Sequence, residues 1–183
     1  MTSSEWAAWL QAVGSVLAIG AAVYVPNAIQ RRQERVRETA DLLIARDRAL
    51  SLVYPLKQWM QRTAPWSDAL ATNEVRNELM VIGWVATRTD TLELPDALNN
   101  LKGNLHELGK AAKPVQNLVY WHGVAVADRS AMNSLARGDF AEEQEARMLR
   151  RQHATTLRNL FAAMSASYEA VSQLLAEKQS LHR

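Results

Sequence analysis

The chain has 183 residues, of which 48% are hydrophobic and 22% charged, and this composition excludes collagen-like, low-complexity and wholly disordered proteins. Its formal net charge of +2 is too small to indicate a nucleic-acid partner. It contains no cysteine, which excludes disulfide frameworks, thiolate metal sites, iron–sulfur clusters and cysteine nucleophiles.

The first predicted element is a segment without charged side chains, residues 6–29, which is long enough to cross a membrane as a helix. Trp6 and Trp9 stand at one end and Tyr24 at the other, roughly 27 Å apart at a helical rise of ~1.5 Å per residue. Aromatic side chains in these places are typical of the boundary between lipid tails and headgroups. We therefore predict an N-terminal transmembrane anchor over residues 1–30.

A basic cluster follows this segment directly, whereas Glu5 is the only charged side chain before it. The cluster, called the arginine collar below, consists of Arg31, Arg32, Arg35 and Arg37. Positive residues flanking a span favour the cytoplasmic side, so the pattern predicts a bacterial inner-membrane protein with its N-terminus outside. Each arginine near the surface can also gain ~1 kcal/mol from anionic lipid headgroups.

Small residues recur at every fourth position of the predicted span, at Gly14, Ala18 and Ala22. In lipid, small residues at this spacing allow helices to approach closely. The pattern is consistent either with self-association of the span or with an alanine-rich anchor that has no partner.

Two other interpretations of the N-terminal segment exist. A cleavable signal peptide requires a basic region before its apolar stretch, and here the charges follow it. Alternatively, residues 6–29 form a core helix of a soluble helical-bundle binding protein, and this interpretation stays open.

Residues 31–183 are predicted to form a cytoplasmic, all-α antiparallel bundle, continuous with the anchor helix. The helical pattern of residues 27–54 places one apolar stripe at Val36, Ala40, Leu43, Leu50 and Tyr54. Pro55 and Pro65 are expected to kink or end helices.

Three shorter helices are predicted in the middle of the chain. One covers residues 73–88 with Thr72 as its N-cap, and one begins at Pro95. The third begins at Pro114 and ends near Gly138. The second carries leucines in a 3-4-3 alternation, namely Leu98, Leu101, Leu105 and Leu108.

The last predicted helix is long, at about residues 139–181, because no proline or glycine interrupts it and Asp139 with Glu142 resembles a capping box. Its second half carries a 4-3-4-3-4 apolar seam made of Leu157, Phe161, Met164, Tyr168, Val171 and Leu175. We expect this seam to lie at or beside a homo-oligomer contact, because so long a helix exceeds what the shorter helices cover. Burial against the helix that carries Leu43, Leu50 and Tyr54 is the competing explanation.

No sequence pattern indicates catalysis. The four histidines form no helical metal pair, and no glycine-rich phosphate loop is present. The basic residues around Arg147, Arg150 and Arg158 follow Glu143 and Glu145, which favours an ion-paired solvated face, notably between Glu143 and Arg147. We expect no enzymatic activity, no cofactor, no metal ion and no nucleic-acid partner.

Residues 5–35 resemble the N-terminal anchors of many short proteobacterial and prophage-encoded membrane proteins of unknown function. The resemblance is carried by the sequence WAAWLQAVGSVLAIGAAVYV and by RRQER shortly after it. The resemblance implies that the chain is anchored in the membrane in the same way, and it identifies no catalytic residue.

Together these patterns predict a non-enzymatic, single-pass membrane protein whose cytoplasmic domain mediates protein–protein interaction or self-assembly. The alternative is a membrane-perturbing effector of the holin-like or exclusion type. That alternative requires the face formed by Gly14, Ala18 and Ala22, whereas a scaffold tolerates its loss.

Overall fold

The computed structural model describes residues 3–88, 92–138 and 143–177, and these are helical apart from short turns. No strand occurs in those ranges, so the all-α prediction is confirmed. The elements are α1 (Ser3–Ala71), α2 (Val75–Thr87), α3 (Asp96–Leu101), a 3-10 segment (Lys102–Ala111), α4 (Ala112–Ala127), α5 (Arg129–Arg137) and α6 (Glu143–Ala176).

The chain divides into two units, residues 1–43 and residues 44–183. In the first unit the described residues belong to α1, and every described side chain is exposed. The predicted domain boundary after residue 30 falls inside this unit. The second unit contains the hydrophobic core, in which α6 packs along α4 and α2 packs against α5.

Within the second unit, the buried face of α1 is not the predicted one. Leu50 and Tyr54 are 55% and 65% exposed. The buried positions follow a 4-3-4-3 spacing and are Ala45, Ala49, Leu52, Leu56 and Trp59. The prediction followed mainly the larger apolar side chains, whereas two of the buried positions are alanines, at 2% and 0% exposure. In the first unit, Val36 and Leu43 of the predicted stripe are exposed as well.

Pro55 and Pro65 are expected to kink or end helices, and neither ends one, because both lie within the bounds of α1. A helical proline leaves the carbonyl four residues earlier without its N–H donor. Those carbonyls belong to Ser51 and Gln61, which are exposed, so water can supply the missing hydrogen bonds.

Helix α2 begins at Val75, two residues after the predicted start, and Thr72 is not its N-cap. Thr72 instead lies in the turn, where its hydroxyl donates to the Ala69 carbonyl and accepts a hydrogen bond from the Asn77 amide at 2.9 Å. Asn73 completes the reversal with a φ of +55°, a left-handed conformation that asparagine tolerates. This turn places α2 alongside the end of α1.

The leucine alternation after Pro95 points into the core, as Leu98, Leu101, Leu105 and Leu108 are all buried. The backbone is not one helix, however, because helical angles are lost at Asn104 and Gly109. Gly109 has φ +53° and ψ −120°, a conformation that strongly favours glycine.

The helix predicted from Pro114 to Gly138 is two helices, α4 and α5, separated by Asp128. Its end is as predicted, because Gly138 adopts the left-handed conformation with φ +75° and donates its N–H to the Leu135 carbonyl. The predicted cap of the last helix, Asp139 with Glu142, lies outside the described residues.

Candidate functional site

The aromatic residues predicted at a membrane interface lie on the surface of the first unit. Trp6, Trp9 and Tyr24 are 53%, 59% and 75% exposed. The two tryptophan rings contact each other edge to face, with centres 6.5 Å apart.

The arginine collar is also exposed. Arg31, Arg32 and Arg35 line an open depression of about 310 Å³ together with Tyr24 and Asn27. Within residues 3–88, 92–138 and 143–177, none of the collar arginines forms an ion pair. Their guanidinium groups are therefore available to anions.

The small residues Gly14, Ala18 and Ala22 are exposed, and a Cβ added at Gly14 would meet no other atom within 4 Å. Among the described residues, no helix combines the length and the apolar character needed to cross a membrane.

The seam of α6 lies inside this chain rather than on its surface. Leu157, Phe161, Met164 and Val171 are buried in the core of the second unit, and Tyr168 and Leu175 pack against that core. Most of the seam is therefore covered within the chain, where α6 runs along α4, and a homo-oligomer contact beside it stays a prediction.

A groove on the second unit, here called the tryptophan groove, lies between the end of α1 and α2. It has a volume of about 500 Å³ and is lined by Arg62, Pro65, Trp66, Met80, Val81, Trp84 and Arg88. The Trp66 and Trp84 rings are 5.6 Å apart at an angle of 50°. Val81 is fully buried and forms the floor, whereas Met80 and Trp84 are 48% and 42% exposed.

Two arginines stand at the rim of this groove. The Arg88 guanidinium carbon lies 4.5 Å from the centre of the Trp84 ring, a cation–π contact that holds the arginine over the aromatic wall. Neither Arg62 nor Arg88 pairs with a carboxylate in the described parts of the chain. The groove thus combines an apolar floor with two arginines that have no carboxylate partner among the described residues.

A buried ionic cluster lies between α1, α2 and α6. The Glu78 carboxylate accepts a hydrogen bond from Arg158 at 2.7 Å and lies 3.1 Å from Arg150 Nε. Arg158 also donates twice to the Leu70 carbonyl, at 3.0 and 3.1 Å. Leu70 is in the last turn of α1, where a cation is favoured by the partial negative charge of the helix end. The cluster therefore fastens three helices together.

Two histidines are enclosed. Burial lowers the pKa of His153, an effect that Asp128 opposes from 3.5 Å. Burial also lowers the pKa of His122, although its hydrogen bond to the Leu92 carbonyl at 2.6 Å acts in the opposite direction. No group of residues able to hold a metal ion occurs in the part of the chain that the structure describes.

Sequence reasoning identified some of these features and missed others. The predicted pair of Glu143 with Arg147 is confirmed. Arg150 and Arg158, expected on a solvated face, instead reach Glu78, which lies far from them in the sequence. The tryptophan groove was not predicted, since its two walls lie on helices whose pairing depends on the turn at Thr72.

Comparisons with known protein families, with curated proteins and with solved structures find no match for this chain.

Proposed function

We propose that this chain is a non-enzymatic, single-pass inner-membrane protein whose helical domain, residues 44–183, binds another protein. The observation that carries the proposal is the charge pattern of the N-terminal region. Residues 6–29 have no charged side chain, and the exposed arginines of the collar follow them. This arrangement favours an anchor with the remainder of the chain on the cytoplasmic side.

The second unit supports the binding part of the proposal. It has its own hydrophobic core, and it exposes the tryptophan groove, whose tryptophan, methionine and arginine side chains are those enriched at protein interfaces. A membrane-perturbing effector is the second candidate, because the face of Gly14, Ala18 and Ala22 is exposed and small enough for close helix contact.

The anchor is tested with the full chain in a bacterial cell. We expect the protein to sediment with inner membranes and to resist extraction by carbonate. Deleting residues 1–30 should release the rest into the soluble fraction. A full chain that is itself soluble would contradict the proposal and favour residues 6–29 as a helix of a soluble bundle.

The two candidate functions are separated by a second variant, Gly14→Leu with Ala18→Leu. These larger side chains obstruct close helix contact but keep the segment apolar. An anchored binding protein should keep its membrane fraction and cause no leakage in either form. Leakage of the inner membrane that the variant abolishes would favour the effector.

A further inference from the structure

The tryptophan groove has the features of a recognition site for a peptide segment. Trp84 and Met80 leave much of their apolar surface in water, and burying such surface on a partner is favourable. Methionine adapts its shape to different side chains, and tryptophan offers a large rigid surface. A cleft of about 500 Å³ lies within the size range of ligand pockets, roughly 300–1,000 Å³.

The charge at the rim specifies the ligand further. Arg62 and Arg88 are exposed and lack carboxylate partners among the described residues. Arginine binds carboxylates through two parallel hydrogen bonds, and the contact of Arg88 with Trp84 already holds its guanidinium in place. A ligand with a carboxylate next to an apolar side chain therefore matches both parts of the groove.

We infer that the tryptophan groove binds an acidic, apolar segment of another protein. A large apolar side chain of that segment packs against Trp66, Trp84 and Met80, and a neighbouring aspartate or glutamate pairs with Arg62 or Arg88. This inference rests on the proposed binding function and adds the chemistry of the partner.

Two other occupants fit the groove less well. A second copy docked symmetrically would bring Arg62 and Arg88 of both chains together, and these like charges repel. A membrane surface contacts convex faces, whereas the Val81 floor lies at the bottom of a cleft.

The test begins with a phage library of random twelve-residue peptides, selected on the full chain in mild detergent. Peptides that bind the empty support are removed at each round. We expect the enriched peptides to place aspartate or glutamate within a few residues of leucine, phenylalanine or tryptophan. A fluorescein-labelled enriched peptide is then titrated by fluorescence anisotropy.

We expect Trp84→Ala to weaken peptide binding at least tenfold and the double variant Arg62→Gln with Arg88→Gln to weaken it about tenfold. Exchanging the aspartate or glutamate residues of the peptide for their amides should weaken its binding to the wild-type chain about tenfold as well. The same exchange should weaken binding to the arginine double variant only slightly further. Arg76→Gln on α2 and Tyr120→Ala on α4 are exposed matched controls that should change the affinity less than twofold. Circular dichroism verifies that each variant keeps its helices.

Several outcomes would overturn the inference. They are the absence of any enriched peptide, enriched peptides without acids, and peptide binding that Trp84→Ala leaves unchanged. A full chain that sediments as a dimer and becomes monomeric on Trp84→Ala would assign the groove to a second copy. Trp84-dependent binding to phosphatidylglycerol vesicles without peptide would assign it to lipid. Membrane fractionation of the same full-length variants reports on the anchor separately, so a failed anchor and a failed groove give different results.

Discussion

Glu78 shows how much of the second unit depends on a single side chain. Its carboxylate is 8% exposed and lies between the guanidinium groups of Arg150 and Arg158. Arg158 in turn holds the Leu70 carbonyl. Removing the central negative charge would leave two cations close together, of which the Arg150 side chain is 14% and the Arg158 side chain 32% exposed, and this is less favourable than losing an exposed ion pair.

We therefore expect Glu78→Gln to lower the free energy of unfolding by about 3–5 kcal/mol. Urea denaturation followed by circular dichroism measures this change. The matched control is Glu143→Gln, which breaks the exposed pair with Arg147 and should cost less than ~1 kcal/mol. Equal effects of the two substitutions would show that the buried cluster is not more important than a surface pair.

His153 predicts a dependence of stability on pH. Burial lowers its pKa in the folded chain, so the unfolded chain takes up a proton first as the pH falls. The contribution of the neutral His153 ring to the free energy of unfolding is therefore complete above the ordinary histidine pKa of about 6.5. It decreases as the pH falls below that value. His122, whose pKa is also lowered, contributes with the same sign.

The measurement is urea denaturation at pH 7.5 and pH 5.5. His153→Leu should reduce the loss of stability on acidification, and the exposed His106→Ala should leave it unchanged. A steeper loss in the His153→Leu variant would mean that Asp128 favours the protonated ring more strongly than burial disfavours it.

At the scale of elements, the 3-10 segment depends on the backbone of Gly109. A side chain is strained at φ +53°, although a Cβ there would still be 3.8 Å from the Ala45 Cβ. A side chain at this position is thus disfavoured by the backbone conformation and not by a steric clash. We expect Gly109→Ala to lower the free energy of unfolding by about 1–2 kcal/mol.

Gly103→Ala is the matched control in the same segment, because its φ is not in the left-handed region and nothing lies within 4 Å of the added Cβ. Thermal denaturation of both variants should show a lower midpoint only for Gly109→Ala. A loss of the same size in both would show that the segment tolerates no change at all, irrespective of backbone angle.

Periodicity predicted the existence of most helices, because apolar spacing near 3.6 residues is a strong local signal. It did not predict which face of α1 is buried, since Ala45 and Ala49 carry little hydrophobicity although both are buried. The sequence also did not predict that α1 continues through Pro55. The free-energy cost of a proline there depends on whether water reaches the Ser51 carbonyl. Both answers depend on tertiary surroundings that local sequence does not contain.

The candidate sites divide in the same way. The arginine collar is contiguous in sequence and was visible before the structure. The tryptophan groove brings Arg62 and Trp66 next to Trp84 and Arg88 through the reversal at Asn73. Glu78 and Arg158 are 80 residues apart, and no pattern in either helix relates them.

At the scale of the whole molecule, the arginine collar is expected to orient the chain. Replacing its four arginines by glutamine removes the charge that disfavours translocation. Alkaline phosphatase fused to the C-terminus, which is active only outside the cytoplasm, should be inactive with the wild-type collar and gain activity with the variant. Replacing Arg147 and Arg151 on α6 by glutamine is a control that should leave the fusion inactive. Activity with the wild-type collar would reverse the proposed topology.

The contacts of α6 also affect how the chain is made. The Thr63 hydroxyl donates to the Met164 sulfur and the Leu70 carbonyl accepts from Arg158, so these two partners of α1 are synthesised 101 and 88 residues after it. At a translation rate of ~5–20 residues per second, this delay is roughly 5–20 seconds. During that time Thr63 and Leu70 lack their partners on α6, and a ribosome that stops before residue 157 never supplies them. Newly made chains of this protein are therefore expected to need chaperones, and truncated ones to be degraded rapidly.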